Sequence, residues 1–307
     1  MPSSSSEPSP IDPRRAQFED ALKHLHEAEY AETPATLASL AGALHVTLER
    51  AGELTGQLAR SGFVLSNGEA IGLSDSGREQ ARQILRAHRI YETYLAHETG
   101  VATEDWHRQA DQAEHLLSPD AVDALADRLG RPRFDPHGDP IPTRSGMLPP
   151  RRGYSLLDSA LGSHVQVLHM EDEPAGLYRQ AAAAGLMPGS RLTVLEKGAD
   201  FLRLAVEDRV CELPLAVALA LHVEDCAAPP PMRPLSALRT GEAGSILNLS
   251  PSIIGGERRR MLDLGLVPGT RIERDFDSML GSPTAYRVRG AVIALRREQA
   301  DRIFLEA

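Results

Sequence analysis

The sequence predicts a multidomain chain: an all-α half that carries a winged helix-turn-helix, followed by two small β-barrels. Three observations lead there. Apolar residues at helical spacing, punctuated by capping residues, recur from residue 16 to about residue 130. A stretch rich in Pro, Gly and Arg then interrupts them. The remainder holds two gap-free copies of one turn-and-strand pattern.

The N-terminus, MPSSSSEPSPIDPRR, is dominated by Ser and Pro, so residues 1–15 are expected to be a disordered tail. It lacks the basic start and apolar run of a secretory signal. No window approaches the eighteen or so unbroken apolar residues of a membrane helix. The two cysteines, Cys211 and Cys226, fit neither a CxxC pair nor a disulfide framework. They are expected to be buried thiols in a reducing compartment, and the chain to be cytoplasmic.

Residues 16–76 read as helices ending in a hairpin. Phe18, Leu22, Leu25 and Ala28 form a helical stripe. Thr36 is placed to cap a helix with Leu37, Leu40, Ala41 and Leu44 on its apolar face. Thr47 is placed to cap the next, with Ala51, Leu54, Thr55 and Leu58 inward. VLSNGEAIGLS then reads as two short strands around an Asn67-Gly68 turn. Helix, turn, helix and hairpin is a winged helix-turn-helix pattern, although any small helical domain with a hairpin would also fit. Candidate DNA contacts are Thr36, Thr47, Arg50, Glu53, Gln57 and Asn67.

Residues 77–130 are strongly helical. His88 and Glu92 are four apart and share a face. In WHRQADQAEHLLS, residues His107, Asp111, Glu114 and His115 fall within an arc of roughly 100°. Imidazoles and carboxylates on one stripe, without a thiol, suit a divalent ion with N/O ligands, Mn²⁺ first and Fe²⁺ next. Zn²⁺ or Co²⁺ would also occupy such a set in vitro. A solvated polar face would carry the same residues. There is no HExxH and no nucleophile–base pair marked by spacing, so an enzyme is not expected.

By composition, residues 131–153 (RPRFDPHGDPIPTRSGMLPPRRG) read as a linker. Beyond them GLMPGSRLTV at Gly185 recurs as GLVPGTRIER at Gly265, a constant offset of 80 residues. Helical stretches precede both copies, and VCELPLAVALA and GAVIALRREQA follow them. This is a duplicated small domain, divided at PPPMRP.

Taken together, these stretches resemble the diphtheria toxin repressor and manganese transport repressor (DtxR/MntR) family of metal-dependent regulators. FEDALKHLHEAEY is similar to the family's first helix, TLASLAGALHV with LARSGFV to its helix-turn-helix, and LSDSGREQARQILRAHRIYETYL to its wing exit and long helix. WHRQADQAEHLLS is similar to its metal-binding helix, and FDPHGDPIP to the phrase that ends its dimerisation domain. The resemblance implies a DNA-binding domain over 16–76, a helical metal-binding and dimerisation domain over 77–145, and a linker over 146–153. It implies a primary site of Asp20, Asp111, Glu114 and His115, and a second site of His88, Glu92 and His107. Carboxylates at Asp20 and Asp111, where iron-type members have sulfur, match the manganese type. Lys23 stands where that type has a carboxylate. A protonated Lys cannot coordinate, so two separated sites are expected rather than a close metal pair.

The repeats resemble the SH3-like barrel of ferrous iron transport protein A (FeoA), over 154–226 and 233–307, with RRRMLDLGLVPGTRIE the closer match. Glu171, Asp172 or Glu173 would lend a ligand to the second metal site, or form a solvated acidic turn. The implied function is a homodimeric, metal-dependent repressor of metal-homeostasis genes that binds double-stranded operator DNA and no membrane. Charge opposes this. The formal net charge is −10, and residues 1–75 carry five basic against eleven acidic residues. The alternative is a metal-binding adaptor that has lost DNA binding and meets a protein partner through the tandem barrels, with Arg258–Arg260 a candidate contact.

Overall fold

The computed structural model describes residues 12–67, 70–150, 152–172, 174–278 and 282–307. They divide into two compact units. One comprises Met1–Tyr94, Asp105–Asp135 and Pro140–Pro149, and the other Leu95–Glu104, Pro136–Asp139 and Pro150–Ala307.

In the first unit, α1 (Pro13–Tyr30) starts inside the stretch expected to be disordered. Asp12 caps it by accepting from Arg14 N at 3.0 Å, and Pro13 occupies the first turn. An Asp-Pro pair supplies both an orphan-donor acceptor and a preset φ, which outweighs the tail-like composition around it. Residues 1–11 of the expected tail lie outside the described residues. Helices α2 (Leu37–Ala43) and α3 (Leu48–Arg60) are capped by Thr36 and Thr47, whose hydroxyls accept from Ser39 N and Arg50 N. Leu22, Leu25, Leu40, Leu54 and Leu58 close one core with Ile71 and Leu73 from the hairpin. Leu37, expected inward, stands 41% exposed at the first position of its short helix.

The hairpin pairs β1 (Val64–Asn67) with β2 (Ala70–Leu73), antiparallel and in register from Val64↔Leu73 to Asn67↔Ala70. Its expected turn falls at Gly68, outside the described residues. Helix α4 (Asp75–Glu98) follows, with Gly77 N donating to Ser74 Oγ at 3.0 Å. Glu29 of α1 ties the wing to α4: it accepts from Leu73 N at 2.9 Å and from Arg78 Nε at 2.8 Å. Then come α5 (Trp106–Glu114) and α6 (Pro119–Arg128), the latter capped by Ser118. Ala87, Ile90, Val122, Ala126 and Ile141 form a second core.

Of the stretch that composition marks as a linker, residues 131–135 and 140–149 belong to this unit, and part of it is pinned there. Arg86 donates to Pro142 O at 2.8 Å and Arg89 to Pro140 O at 2.7 Å, Phe134 bridges Pro140, and Tyr30 Oη donates to Pro149 O. Prolines lack an N–H but keep their carbonyls, and here arginines from a long helix satisfy them.

In the second unit, the two copies have the same layout. The first contains β3 (Tyr154–Ser155), β4 (His164–Met170), α7 (Ala175–Ala183), β5 (Arg191–Lys197), β6 (Phe201–Val206), β7 (Arg209–Pro214), α8 (Leu215–Leu219) and β8 (Leu221–Asp225). The second contains β9 (Met232–Pro234), β10 (Ala243–Leu249), α9 (Gly255–Asp263), β11 (Arg271–Asp277), β12 (Thr284–Val288), β13 (Ala291–Leu295), α10 (Arg297–Ala300) and β14 (Ile303–Glu306). Strand orders β3-β8-β4-β5-β6-β7 and β9-β14-β10-β11-β12-β13 correspond member for member. Each is a six-stranded antiparallel sheet of open order, so the expected barrels are not hydrogen-bonded rings among the described residues. Each sheet has its own apolar core, one including Val165, Val167 and Leu204, the other Ile246, Ile272 and Tyr286. The cysteines are free but half-buried, not buried as expected. No helix among the described residues is long and apolar enough to cross a membrane.

Gly77 gives a test of the packing at the wing exit. A Cβ there would lie 2.0 Å from Phe63 O, a backbone atom that accepts from Ser74 N at 2.9 Å. Gly77→Ala is expected to destabilise the first unit by about 1–3 kcal/mol. Gly42→Ala, which meets nothing within 4 Å, should be neutral or stabilising. Urea denaturation of both variants checks this; equal stability would refute the packing assigned to Gly77.

Candidate metal centre

Three helices of the first unit bring the candidate donors together. α1 supplies Glu19, Asp20 and Lys23, α4 supplies His88 and Glu92, and α5 supplies His107, Asp111 and Glu114, with His115 as its C-cap. Ligand atoms of three triads, Asp20/Glu114/His115, His88/Asp111/Glu114 and His88/Glu92/His107, lie within 4.8 Å of one another. The donors thus form a continuous chain, with Glu114 and His88 each belonging to two triads. The primary set expected from the resemblance is split here: Asp111 closes on His88 and Glu114, leaving Asp20 with Glu114 and His115.

Lys23 accounts for that split. Its ammonium donates to Asp111 Oδ1 at 2.7 Å and to both Glu114 oxygens at 3.1 Å. Glu114 is 4% exposed, so its charge must be met inside the protein. Burial alone would favour a neutral Lys23, but the charges of Glu114 and Asp111 hold its pKa well above the usual lysine range. Asp111 is also pushed up by burial, and the charges of Lys23, His88 and His107 bring it below its ordinary value.

Both buried imidazoles are held protonated. Burial pulls His88 down, but the charge of Glu92 and hydrogen bonds to Glu114 and Glu92 outweigh it and the opposing Lys23, lifting it to about 9. His88 Nδ1 lies 2.5 Å from Glu114 Oε2 and Nε2 lies 3.2 Å from Glu92 Oε1. His115 is likewise lowered by burial and raised further by hydrogen bonds to Asp20 and Glu19 and by the charge of Glu114, to about 9. Its Nε2 stands 3.2 Å from Asp20 Oδ1 and 3.9 Å from Glu114 Oε1. His107 spans the remaining gap, 3.4 Å from Glu92 and 3.4 Å from Asp111.

Glu19 is the participant that sequence reasoning missed. It accepts from His115 Nδ1 at 2.6 Å and from Arg15 Nε at 2.8 Å. Burial raises its pKa, but these two hydrogen bonds hold it below the ordinary value. An acceptor on Nδ1 fixes the ring and leaves Nε2 facing Asp20 and Glu114. Its one sequence signal is an Arg four residues earlier on the same helix.

The donor chemistry fits a divalent transition metal: imidazole nitrogens and carboxylate oxygens, close-set, largely buried and without a thiol. Glu171 and Asp172 belong to the second unit, where Asp172 lies 3.7 Å from His137, and Glu173 is outside the described residues.

The DNA-facing candidates all belong to the small helical head. Thr36 and Thr47 are caps. Arg50 donates to Glu53 and to Gln17, each at 2.9 Å. Glu49, Glu53 and Gln57 are exposed along α3. Asn67 pairs with Ala70 through the backbone ladder, and its side chain is outside the described set.

Residues 74–143 match the iron dependent repressor, metal binding and dimerisation domain, and residues 233–307 match the FeoA domain. The iron-dependent repressor IdeR of Mycobacterium leprae is 25% identical over 190 residues, 56% of this chain and 81% of that protein. A probable metal transport system membrane protein of Chlamydia trachomatis is 32% identical over 88 residues, but the match spans only 20% of its length. Among solved structures, a manganese-dependent transcriptional repressor in complex with manganese superposes with a TM-score of 0.64 at 30% identity, covering 68% of this chain and all of that one. IdeR of T. acidophilum gives 0.58 at 26% identity, covering 68% and 97%. With the helical half and the C-terminal domain both matched, the chain belongs to the DtxR/MntR family of metal-dependent transcriptional repressors and carries a FeoA domain at its C-terminal end.

Proposed function

We propose that this chain represses metal-homeostasis genes as a homodimer on double-stranded operator DNA, with Mn²⁺ as the favoured corepressor and Fe²⁺ next. The observation that carries the reading is the meeting of Asp20 with Glu114 and His115. Asp20 sits on α1, whose Ala21, Leu22 and Leu25 belong to the core of the head. Glu114 and His115 end α5, outside that core. The carboxylate-rich, thiol-free donor set supports Mn²⁺ over softer ions.

A bound divalent cation supplies a fixed positive centre for donors on both sides. Asp20 then holds α1, and with it α2 and α3, in one orientation relative to α5. Glu19 keeps His115 aligned, and Lys23 keeps Asp111 and Glu114 paired until they are needed as ligands. Head orientations shift in population only by the difference in cation affinity between them.

A second reading is favoured by the α3 surface. Its exposed Glu49 and Glu53 repel phosphate, and Arg50 is held by Glu53 and Gln17. In that reading the chain is a metal-binding adaptor. It would meet a protein through the last β-domain, where Leu262, Leu264, Phe276 and Val292 are exposed.

Operator binding is expected to appear with Mn²⁺ or Fe²⁺ and vanish without them. His115→Ala should weaken metal binding by roughly a hundredfold or more and carry DNA binding down with it. An operator titration checks this: no specific retention under any metal favours the adaptor, and retention indifferent to metal and to the substitution defeats the sensor.

Lys23→Met removes the competing ammonium. Calorimetric titration should show Mn²⁺ affinity rising about tenfold or more, with a lower melting temperature for the metal-free protein. Unchanged or weaker Mn²⁺ affinity would show that Lys23 does not compete.

Metal binding requires neutral imidazoles, whereas His88 and His115 stay protonated up to about pH 9. Below that value each displaced proton opposes binding. Apparent affinity should therefore climb with pH, roughly tenfold per unit per proton released. Titrations in buffers of different ionisation heat count the protons; an affinity flat between about pH 6.5 and 8.5 would contradict the protonated imidazoles.

A further inference from the structure

The first β-domain holds a second, separate set of metal-type donors. Strands β4 and β8 pair antiparallel, and His169 lies directly across from His222. The register shifts between Val167 and His169, a bulge that places Leu168 as the extra residue. Alternation along β4 breaks there: Val165, Val167 and Met170 are buried, while Leu168 and His169 are both half-buried. His222 is half-buried between the buried Leu221 and Val223. The two imidazoles therefore share the outer face of the sheet, with ring centroids 5.6 Å apart.

Two further segments are fixed onto that face by backbone hydrogen bonds. Glu171 N donates to Ala220 O at 2.9 Å, and Glu171 Oε1 comes within 3.4 Å of His169 Nε2. Met170 N donates to His137 O at 2.9 Å, which lays residues 136–139 along the bulge. Gly138 permits that approach, with φ at +95° and a position where a Cβ would be 1.9 Å from Leu168 O. Asp139 Oδ2 is thereby brought within 3.8 Å of His169 Nδ1. Ligand atoms of His169, Glu171 and His222 all lie within 4.8 Å of one another.

The sister domain shows that the fold does not require these residues. Its strands carry the same bulge, between Ile246 and Asn248, and Asn248 faces Phe304 where the first copy has His169 and His222. Ser250 N donates to Arg302 O as Glu171 N does to Ala220 O. The donors are thus particular to the first copy, on a backbone that both copies share.

We propose that His169, His222 and Glu171 form a metal site in the first β-domain, distinct from the helical centre, that binds Zn²⁺ with Asp139 beside it. Two imidazoles and one carboxylate, with a position left for water, are a borderline-metal set. The proposal does not rest on the repressor reading.

The test uses the full chain with Co²⁺ as a spectroscopic probe and Zn²⁺ as competitor. In a His88→Ala/His115→Ala background, which disables the helical centre, one equivalent of Co²⁺ should still bind with visible d–d absorption and be displaced by Zn²⁺. Adding His169→Ala or His222→Gln should abolish that equivalent, while Asn248→Ala should leave it intact. Circular dichroism of the metal-free variants should match their parent, because His222→Gln keeps the strand ladder. Retention of the equivalent in folded His222→Gln protein, or no Co²⁺ bound in the background, overturns the proposal. Failure of the helical centre reads differently: the wild type and the His88→Ala/His115→Ala variant would then bind equal amounts.

Discussion

Glu114 is a carboxylate almost removed from water, and the helical half is arranged around the need to meet its charge. A lone buried carboxylate costs several kcal/mol, so partners must come from within reach. Lys23 reaches it from α1 and His88 from α4, while His115 follows it on α5. Three helices are therefore tied to one charge. Protons are held on His88 and His115, whose nitrogens a cation would require, and the Lys23 ammonium is held by the oxygens of Asp111 and Glu114. Metal binding at such a site is an exchange of positive charges more than the construction of a pocket. Its net free energy is a difference between two well-satisfied states, which makes it sensitive to pH and to the residue at position 23.

How much of this was legible depended on whether the relevant distance was local. The stripe His107, Asp111, Glu114, His115 follows from helical periodicity, as does the His88/Glu92 pair, and α5 and α4 carry them as expected. Asp20 entered only through the family resemblance, because nothing in one sequence reports that α1 lies against α5. Glu19 was invisible beside it: two adjacent acids on a helix look alike until one is found holding His115. The grouping of Asp111 with His88 depends on where a flexible lysine chain ends. Composition misjudged residues 131–149, because the arginines that satisfy their carbonyls sit some fifty positions earlier on α4.

The repeat tells the same story at the level of domains. An offset of 80 residues was plain in GLMPGSRLTV and GLVPGTRIER, and α7 and α9, β5 and β11 keep it to the residue. Strand order and the shared bulge were not readable, since both are properties of pairing across the sheet. The His169–His222 juxtaposition belongs to this class: 53 positions separate the two residues, and only the register places them opposite each other.

The acidic head is less of an obstacle than its net charge suggests. Arg50 and Glu53 form an exposed i, i+3 pair, and such pairs contribute about 0–1 kcal/mol. Exchanging Glu53 for a phosphate oxygen would therefore cost Arg50 little. Thr36 and Thr47 use their oxygens as acceptors in the caps, and each hydroxyl retains a proton to donate. The first turns of α2 and α3 also present backbone N–H groups and the positive end of the helix dipole, which favour an anion whatever the side-chain charge. Glu49 and Glu53 weaken attraction to phosphate at every sequence equally, so they lower overall affinity without changing which sequence is preferred. A head built this way would bind weakly as a monomer and depend on two heads being held in step, which is the property that a metal-governed orientation of α1 can control.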